Sequence, residues 1–415
     1  MIDIKLIREN AELVKKNCQR RGCAVDIDEL VRIDSEYRAA VQKVELLRAE
    51  RNRLSKECRD NPDAREQVKG MKDELVRLEA LMVELSDKLD EKMSWLPNML
   101  DASVPDGKDD ADNFELRKEG VLPQFAFKPK DHQELGEMLD IIDTQRGAKV
   151  AQAGFYYWKG KGAQLCNAMY FWVQQQLSAR GFIPFLTPCV AKEKTLFGTG
   201  YLPFFADQTF GLKDLDLALI GTSEQTLVGY HADELLEGEK LPLMYSAFTP
   251  CFRTEAGSYG KASRGIFRVH QFHKVEQIIF CRPEDSVKYH EFCLENEELL
   301  LRQLGIPYRV VNVCVGDMGA PGYKKYDIEA YFAGFGTYRE VTSNTNLTDF
   351  QARRLNIRFK DKDGNKDFVH TISATAVTDR VAIAILENNQ QADGSVIIPE
   401  VLRPLTRFDR IEPVK

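Results

Sequence analysis

No apolar run in this 415-residue chain reaches the roughly eighteen residues that a bilayer-spanning helix requires. The opening MIDIKLIRENAELVKKNCQRRG has no apolar core segment and carries Asp3, Glu9 and Glu12. It matches neither a secretory leader nor an acid-poor transit peptide, so a cytoplasmic protein is expected. Nine cysteines are present, none in CxxC or Cys/His ligand spacing. That argues against structural zinc and a disulfide framework, and leaves most of them as small buried hydrophobes. Histidine is scarce, at six residues. His270 and His273 lie close together, but they read as a structural hairpin residue and an outward-facing one rather than a metal pair. A net charge of −7 speaks against wholesale non-specific nucleic-acid binding, though not against a local basic surface.

What is present is an ordinary globular composition, 43% hydrophobic and 29% charged, on a chain long enough for two or three domains. Near the N-terminus, apolar residues recur at Ile33, Tyr37, Ala40, Val44, Leu47 and Leu54, broken by Arg51. A second series runs Val68, Met71, Leu75, Leu78, Met82, Leu85 and Leu89. Alternating steps of three and four predict a narrow coiled-coil seam. Asp60-Asn61-Pro62-Asp63 predicts a turn between two long antiparallel helices. Lys43, Arg48, Arg51, Arg53, Lys56, Arg59, Arg65, Lys69, Lys72 and Arg77 are interleaved with acids along them. Alone, such a rod is most simply a dimerisation or spacer element. Trp95-Leu96-Pro97-Asn98 ends it, and the polar run Pro105-Asp106-Gly107-Lys108-Asp109-Asp110 reads as a linker.

The richest stretch is residues 251–280, CFRTEAGSYGKASRGIFRVHQFHKVEQIIF. A strand-like start carries Arg253 and Glu255. A loop with Gly257, Ser258, Gly260 and Ser263 follows, closing on Arg264 and Gly265. A second alternating segment then carries Arg268, Phe272 and Glu276. Two β-type runs around such a loop predict a hairpin. Its arginines offer bidentate forks for phosphate or carboxylate, and its ring could stack a base.

This stretch resembles motif 2 (about 248–280) of the class II aminoacyl-tRNA synthetases, and in detail the seryl-tRNA synthetase family. The rest of the chain agrees in order. Leu165–Leu177 followed by Arg180–Pro188 resembles motif 1 (about 165–188), which implies a homodimer. Ile220-Gly221-Thr222-Ser223-Glu224 resembles the loop that binds the substrate ammonium. Tyr338–Asn346 resembles the strand that meets ATP phosphates. His370–Pro404 resembles motif 3, with Arg380 at the start of a helix. Its lead-in departs from the family pattern: Ser373-Ala374-Thr375 stands there and the stretch to Arg380 is a residue shorter. Asp379, beside Arg380, is placed to neutralise it partly.

The resemblance implies an α+β fold, with a class II antiparallel sheet flanked by helices and an N-terminal antiparallel coiled-coil arm. It divides the chain into a tRNA-binding domain at 1–100 (arm about 28–97), a linker and entry to the catalytic domain at 101–145, and a catalytic domain at 146–415. It implies ATP-dependent activation of L-serine and transfer of the seryl group to tRNA(Ser), and to tRNA(Sec) where present. Arg253 would bridge the serine carboxylate and the α-phosphate. Arg268 and Arg380 would hold the outer phosphates, Phe272 would stack on adenine, and Glu255 would lie near the adenine edge. Thr254, Val341 and Thr342 complete the implied ATP set, and Glu340 and Ser343 would reach the phosphates through Mg²⁺. Thr222 and Glu224, with Ser223 between them, would hold the ammonium. Glu276 would accept the serine hydroxyl, with Thr375, or failing it Ser373, contributing a second contact. Catalysis would rest on Arg253, Glu340 and Arg380, by positioning and charge, without a protein nucleophile. Two rival readings are a paralogue charging another carrier and a catalytically silent tRNA-binding protein.

Overall fold

The computed structural model describes residues 1–57, 61–256 and 265–414. Two compact units divide at Met99 and Leu100. The Gly/Ser-rich part of the motif 2 loop, from Gly257 to Arg264, and Arg59 and Asp60 of the arm lie outside the described residues.

The first unit holds α1 (Ile4–Glu9), α2 (Ala11–Arg20), α3 (Ile27–Glu57) and α4 (Pro62–Ser94). Pro62 at the first turn suits a helix start, where its missing N–H costs nothing. Asn61 caps it by accepting from the backbone N–H groups of Asp63 and Ala64. The seam residues Val44, Leu75, Leu78 and Leu85 are buried between the two long helices. Ion pairs Lys43–Glu74, Arg48–Glu79 and Lys92–Glu29 cross between them. These pairs sit in water and stabilise little, so the apolar seam is what holds the hairpin. At its base, Ile7, Val14, Leu30, Met93 and Leu96 form a separate small core.

The second unit is built on eight strands: β1 (Phe114–Glu119), β2 (Ile183–Phe185), β3 (Leu243–Phe252), β4 (Gln271–Cys281), β5 (Tyr308–Asn312), β6 (Lys324–Phe332), β7 (Thr337–Thr348) and β8 (His370–Thr378). They lie in the order β1-β5-β6-β7-β8-β4-β3-β2. Every pairing is antiparallel except β2 with β3. Helix α5 (His132–Met138) precedes α6 (Gly160–Ala179), and α7 (Ser223–Gly229), α8 (Ser286–Leu304) and α9 (Asp379–Asn388) follow. Apolar residues of α6, α8 and α9 join Val275, Ile279, Ile328 and Ile372 of the strands in the main core.

Residues 101–145, expected as a linker and entry to the catalytic domain, contribute the edge strand β1 and α5. Pro105 accepts from the Val315 N–H at 3.0 Å, so the polar run packs down as well. All six residues of β1 are exposed. With neither face buried, only Phe114 and Leu116 alternate with polar residues, a run too short to announce the strand. No helix among the described residues is long and apolar enough to cross a membrane.

Candidate active site

Strand β4 sets the site by simple alternation. Val275 and Ile279 turn into the helix-covered core. Phe272, Lys274 and Glu276 turn the other way and line a cavity of about 370 Å³. Beneath Glu276, Thr222 begins α7: its hydroxyl accepts from the Glu224 N–H at 3.2 Å and donates to Glu276 Oε2 at 2.9 Å. Ser373 donates to Glu276 Oε1 at 3.3 Å. Lys274 forms an ion pair with the same carboxylate, both groups being nearly buried. Glu276 is thus a buried acceptor held by a cation and two hydroxyls.

A β-bulge brings a further group into the cavity. Residues three apart on a regular strand face opposite sides. On β7, however, Val341 is an extra residue between the pairs Glu329–Glu340 and Ile328–Thr342. The bulge shifts the phase, and Glu340 and Ser343 line the same cavity. On β8 the register is regular up to Thr375, which stands directly opposite Glu276, and Ala376 is the extra residue just beyond it.

Three guanidiniums surround the open side. Arg253 lies 5.2 Å over the Phe272 ring and reaches the Gly221 carbonyl at 3.4 Å. Its backbone is pinned by His270, whose Nδ1 lies 3.1 Å from the Arg253 carbonyl. Arg268 donates to Glu255 at 2.5 Å. Arg380 donates to Glu340 Oε2 at 3.1 Å and to its carbonyl at 2.9 Å. Burial pushes the Glu340 carboxyl up, but Arg380, Lys325 and Arg253 outweigh it and hold it below its usual value. Glu224 behaves oppositely: burial, then Glu276, push its carboxyl up. The site therefore has a strongly cationic mouth and a carboxylate-lined floor.

Most of the expected residues meet here, among them Arg253, Glu255, Arg268, Phe272, Glu276, Glu340, Ser343, Thr375 and Arg380, with Glu224, Val341 and Thr342. Thr254 does not reach the cavity; its hydroxyl donates to the Asp207 carbonyl. Thr222 and Ser223 are fully buried behind it. Sequence reasoning missed Lys274, Lys325, Tyr201 and Gln351. The last two donate to Glu224 at 3.2 and 2.6 Å. Alternation between Phe272 and Glu276 could have found Lys274. Nothing in the sequence around Lys325 or Tyr201 marks them.

Asp379 corrects an expectation. It does not neutralise Arg380. Its carboxylate turns away and accepts from Tyr156 (2.9 Å), Trp158 (3.2 Å), Tyr170 (2.6 Å) and the His273 N–H (2.6 Å). His273 is likewise not outward-facing, since its ring lies 3.5 Å from the same carboxylate. Asp379 so ties the start of α9, and Arg380 with it, to three aromatic side chains. Burial raises its carboxyl, but the bonds from His273 and Tyr170 outweigh this and leave it below its usual value. A depressed folded-state value contributes stability that is present above about pH 3.9 and is lost as pH falls through it. Asp379→Ala should cost about 3–5 kcal/mol in urea unfolding at neutral pH. Asp379→Asn should lose less stability than wild type between pH 5 and about pH 3; equal acid losses would refute the assignment.

Among the described residues, no three His, Cys, Asp or Glu side chains are grouped to hold a metal ion on their own.

Residues 1–100 match the model of the seryl-tRNA synthetase N-terminal domain, and residues 210–389 that of the tRNA synthetase class II core domain (G, H, P, S and T). The serine–tRNA ligase of Treponema denticola is 43% identical over 99% of this chain and 100% of its own. That of Dictyoglomus thermophilum is 44% identical over the full length of both. Among solved structures, the seryl-tRNA synthetase of Pyrococcus horikoshii complexed with ATP superposes with a TM-score of 0.95, at 41% identity and complete coverage of both chains. The cytoplasmic serine–tRNA ligase of Naegleria fowleri in complex with AMP gives 0.90 at 28% identity, covering 100% of this chain and 99% of its own. Kinship of this extent, over both units and around an arginine-rimmed, carboxylate-floored cavity, means that the chain belongs to the seryl-tRNA synthetase family.

Proposed function

We propose that the protein activates L-serine with ATP and charges tRNA(Ser), and tRNA(Sec) where present. The observation that carries this is the single cavity in which Arg253, Arg268, Arg380 and Phe272 stand over Glu276 and Glu224. A serine carboxylate oxygen attacks the α-phosphorus of ATP in line, and the bond to pyrophosphate breaks. The 3′-terminal hydroxyl of the tRNA then attacks the acyl carbon, and AMP leaves. Both steps develop negative charge on phosphate or carbonyl oxygens, which fixed cations stabilise without reorganising.

Arg253 bridges the serine carboxylate and the α-phosphate, and Arg268 and Arg380 hold the outer phosphates. Phe272 stacks on adenine, with Glu255 near its edge. Glu340 and Ser343 offer a carboxylate and a hydroxyl, hard oxygens that suit magnesium brought in by ATP. That ion, when bound, neutralises phosphate charge. Glu224 accepts from the substrate ammonium, while Thr222, spent on Glu276 and the α7 cap, positions rather than contacts. Glu276 accepts the serine hydroxyl, with Thr375 and Ser373 beside it. The arm takes the tRNA by shape and backbone, the way A-form RNA is generally read. Phe171, Ile183 and Leu186 are 53%, 54% and 93% exposed along motif 1. They form the surface on which a second copy would dock in a cytoplasmic homodimer.

The test is ATP–pyrophosphate exchange with Mg²⁺ across the twenty amino acids, without tRNA. Exchange with serine is expected; its absence from folded protein would favour the silent tRNA-binding reading. In the same assay Glu276→Ala should lower kcat/KM for serine by about 10³-fold, since it strands both the serine hydroxyl and the Lys274 ammonium. A loss confined to ATP affinity would place Glu276 elsewhere in the reaction.

A further inference from the structure

Away from the cavity, one fully buried pair of side chains joins three segments that support it. His132 begins α5, and Glu387 lies on α9 two turns beyond Arg380. Glu387 Oε1 accepts from the His132 backbone N–H at 3.0 Å and lies 2.8 Å from its ring Nδ1. Glu387 Oε2 accepts from the Gly334 N–H at 2.9 Å. The other ring nitrogen, Nε2, accepts the backbone N–H of Ile266 at 3.1 Å. An amide N–H can only donate, so Nε2 is bare and the proton sits on Nδ1, where the carboxylate takes it.

Ile266 leads straight into the phosphate side of the site. The next residue, Phe267, gives its carbonyl to Arg380 Nε at 3.3 Å and its ring to the same guanidinium at 4.5 Å. Arg268 follows directly. Gly265, at φ +76°, makes the approach possible, because a Cβ there would lie 2.2 Å from His132 Nε2.

We propose that His132 is a positioning residue for ATP: its Nε2 fixes Ile266, and so sets Phe267, Arg268 and Arg380 against the triphosphate. This rests on the adenylation reading of the cavity. Without the acceptor, the Ile266 N–H is buried and unpaired. A displacement on the order of 1 Å in a charge-positioning segment is enough to cost about 10²-fold in rate.

Three variants separate this role from support of the fold. Glutamine carries its amide oxygen out to the reach of Nε2, whereas asparagine stops near Nδ1 and alanine supplies neither. H132N and H132A should weaken MgATP binding by calorimetry, and raise KM for ATP, by about 10- to 100-fold. The KM for serine should stay near wild type, and H132Q should retain near-wild-type ATP affinity. ATP affinity unchanged in H132A, or ATP and serine constants raised alike in all three, would overturn the proposal. If the shorter variants do not fold, H132Q decides alone: retained ATP affinity supports the role, and loss from folded protein overturns it. Wild-type protein that binds MgATP without serine-dependent exchange would sink the adenylation reading and leave calorimetry to judge His132.

Discussion

Arg253→Ala is expected to lower serine-dependent ATP–pyrophosphate exchange by about 10³-fold while the protein stays folded. The reasons lie in how little the guanidinium does for the fold and how much it can do for the reaction. Its direct contacts with the protein are a long bond to Gly221 and the face of Phe272, each worth on the order of 1 kcal/mol. It lines the cavity together with Glu276, Arg268 and Arg380, and in the proposed reaction it bridges the serine carboxylate and the α-phosphate. Charge that develops there in the transition state needs a fixed, bidentate partner. Arg253→Lys keeps the charge and loses the fork, so it should recover only part of the loss. Full recovery by lysine would mean that Arg253 supplies field rather than geometry. An alanine variant with unchanged exchange would remove it from the chemistry.

Deletion of residues 31–92 should leave serine-dependent exchange in place and lower tRNA charging by about 10²–10⁴-fold, the usual gain from a second linked binding module. The seam of Val44, Leu75 and Leu78 is self-contained. The second unit has its own extensive core. The arm's cations are available to RNA despite their ion pairs: Lys43 and Arg48 are more than half exposed, and exposed pairs are weak enough to trade for phosphates. Charging by the intact protein should also weaken steeply with salt. Parallel loss of both activities in the deletion would show that the arm supports the catalytic unit instead of recruiting tRNA.

What was legible in the sequence was whatever follows from fixed periods. The three-four spacing of series such as Leu75, Leu78, Met82 and Leu85 pointed to the arm. The period of two gave the shared face of Phe272 and Glu276, and the family motifs pointed to Arg253, Arg268 and Arg380. What stayed hidden depended on breaks in those periods or on partners distant in the chain. The pairing of Ser343 with Glu340 came from the family resemblance and not from the period: they share the cavity only because Val341 is an extra residue, and strict alternation would have put them on opposite faces. β1 was invisible because both its faces are wet. The direction of Asp379 was set by Tyr156, Trp158 and Tyr170, more than 200 residues away. Adjacency to Arg380 was the wrong guide there, since the first residues of a helix point their side chains in different directions.

The bulge at Val341 also makes the strand behave like a reading frame. Just downstream of it, neighbouring positions have opposite duties: Ser343 and Thr345 open to the cavity, while Asn344 between them donates to the His290 carbonyl beneath the sheet. Loss of one residue at this point would invert every position to Thr348, turning hydroxyls into the core and Asn344 out. Substitution at 341 changes one side chain, whereas deletion re-addresses seven. The count of residues at this point is therefore as much a part of the site as the side chains it carries.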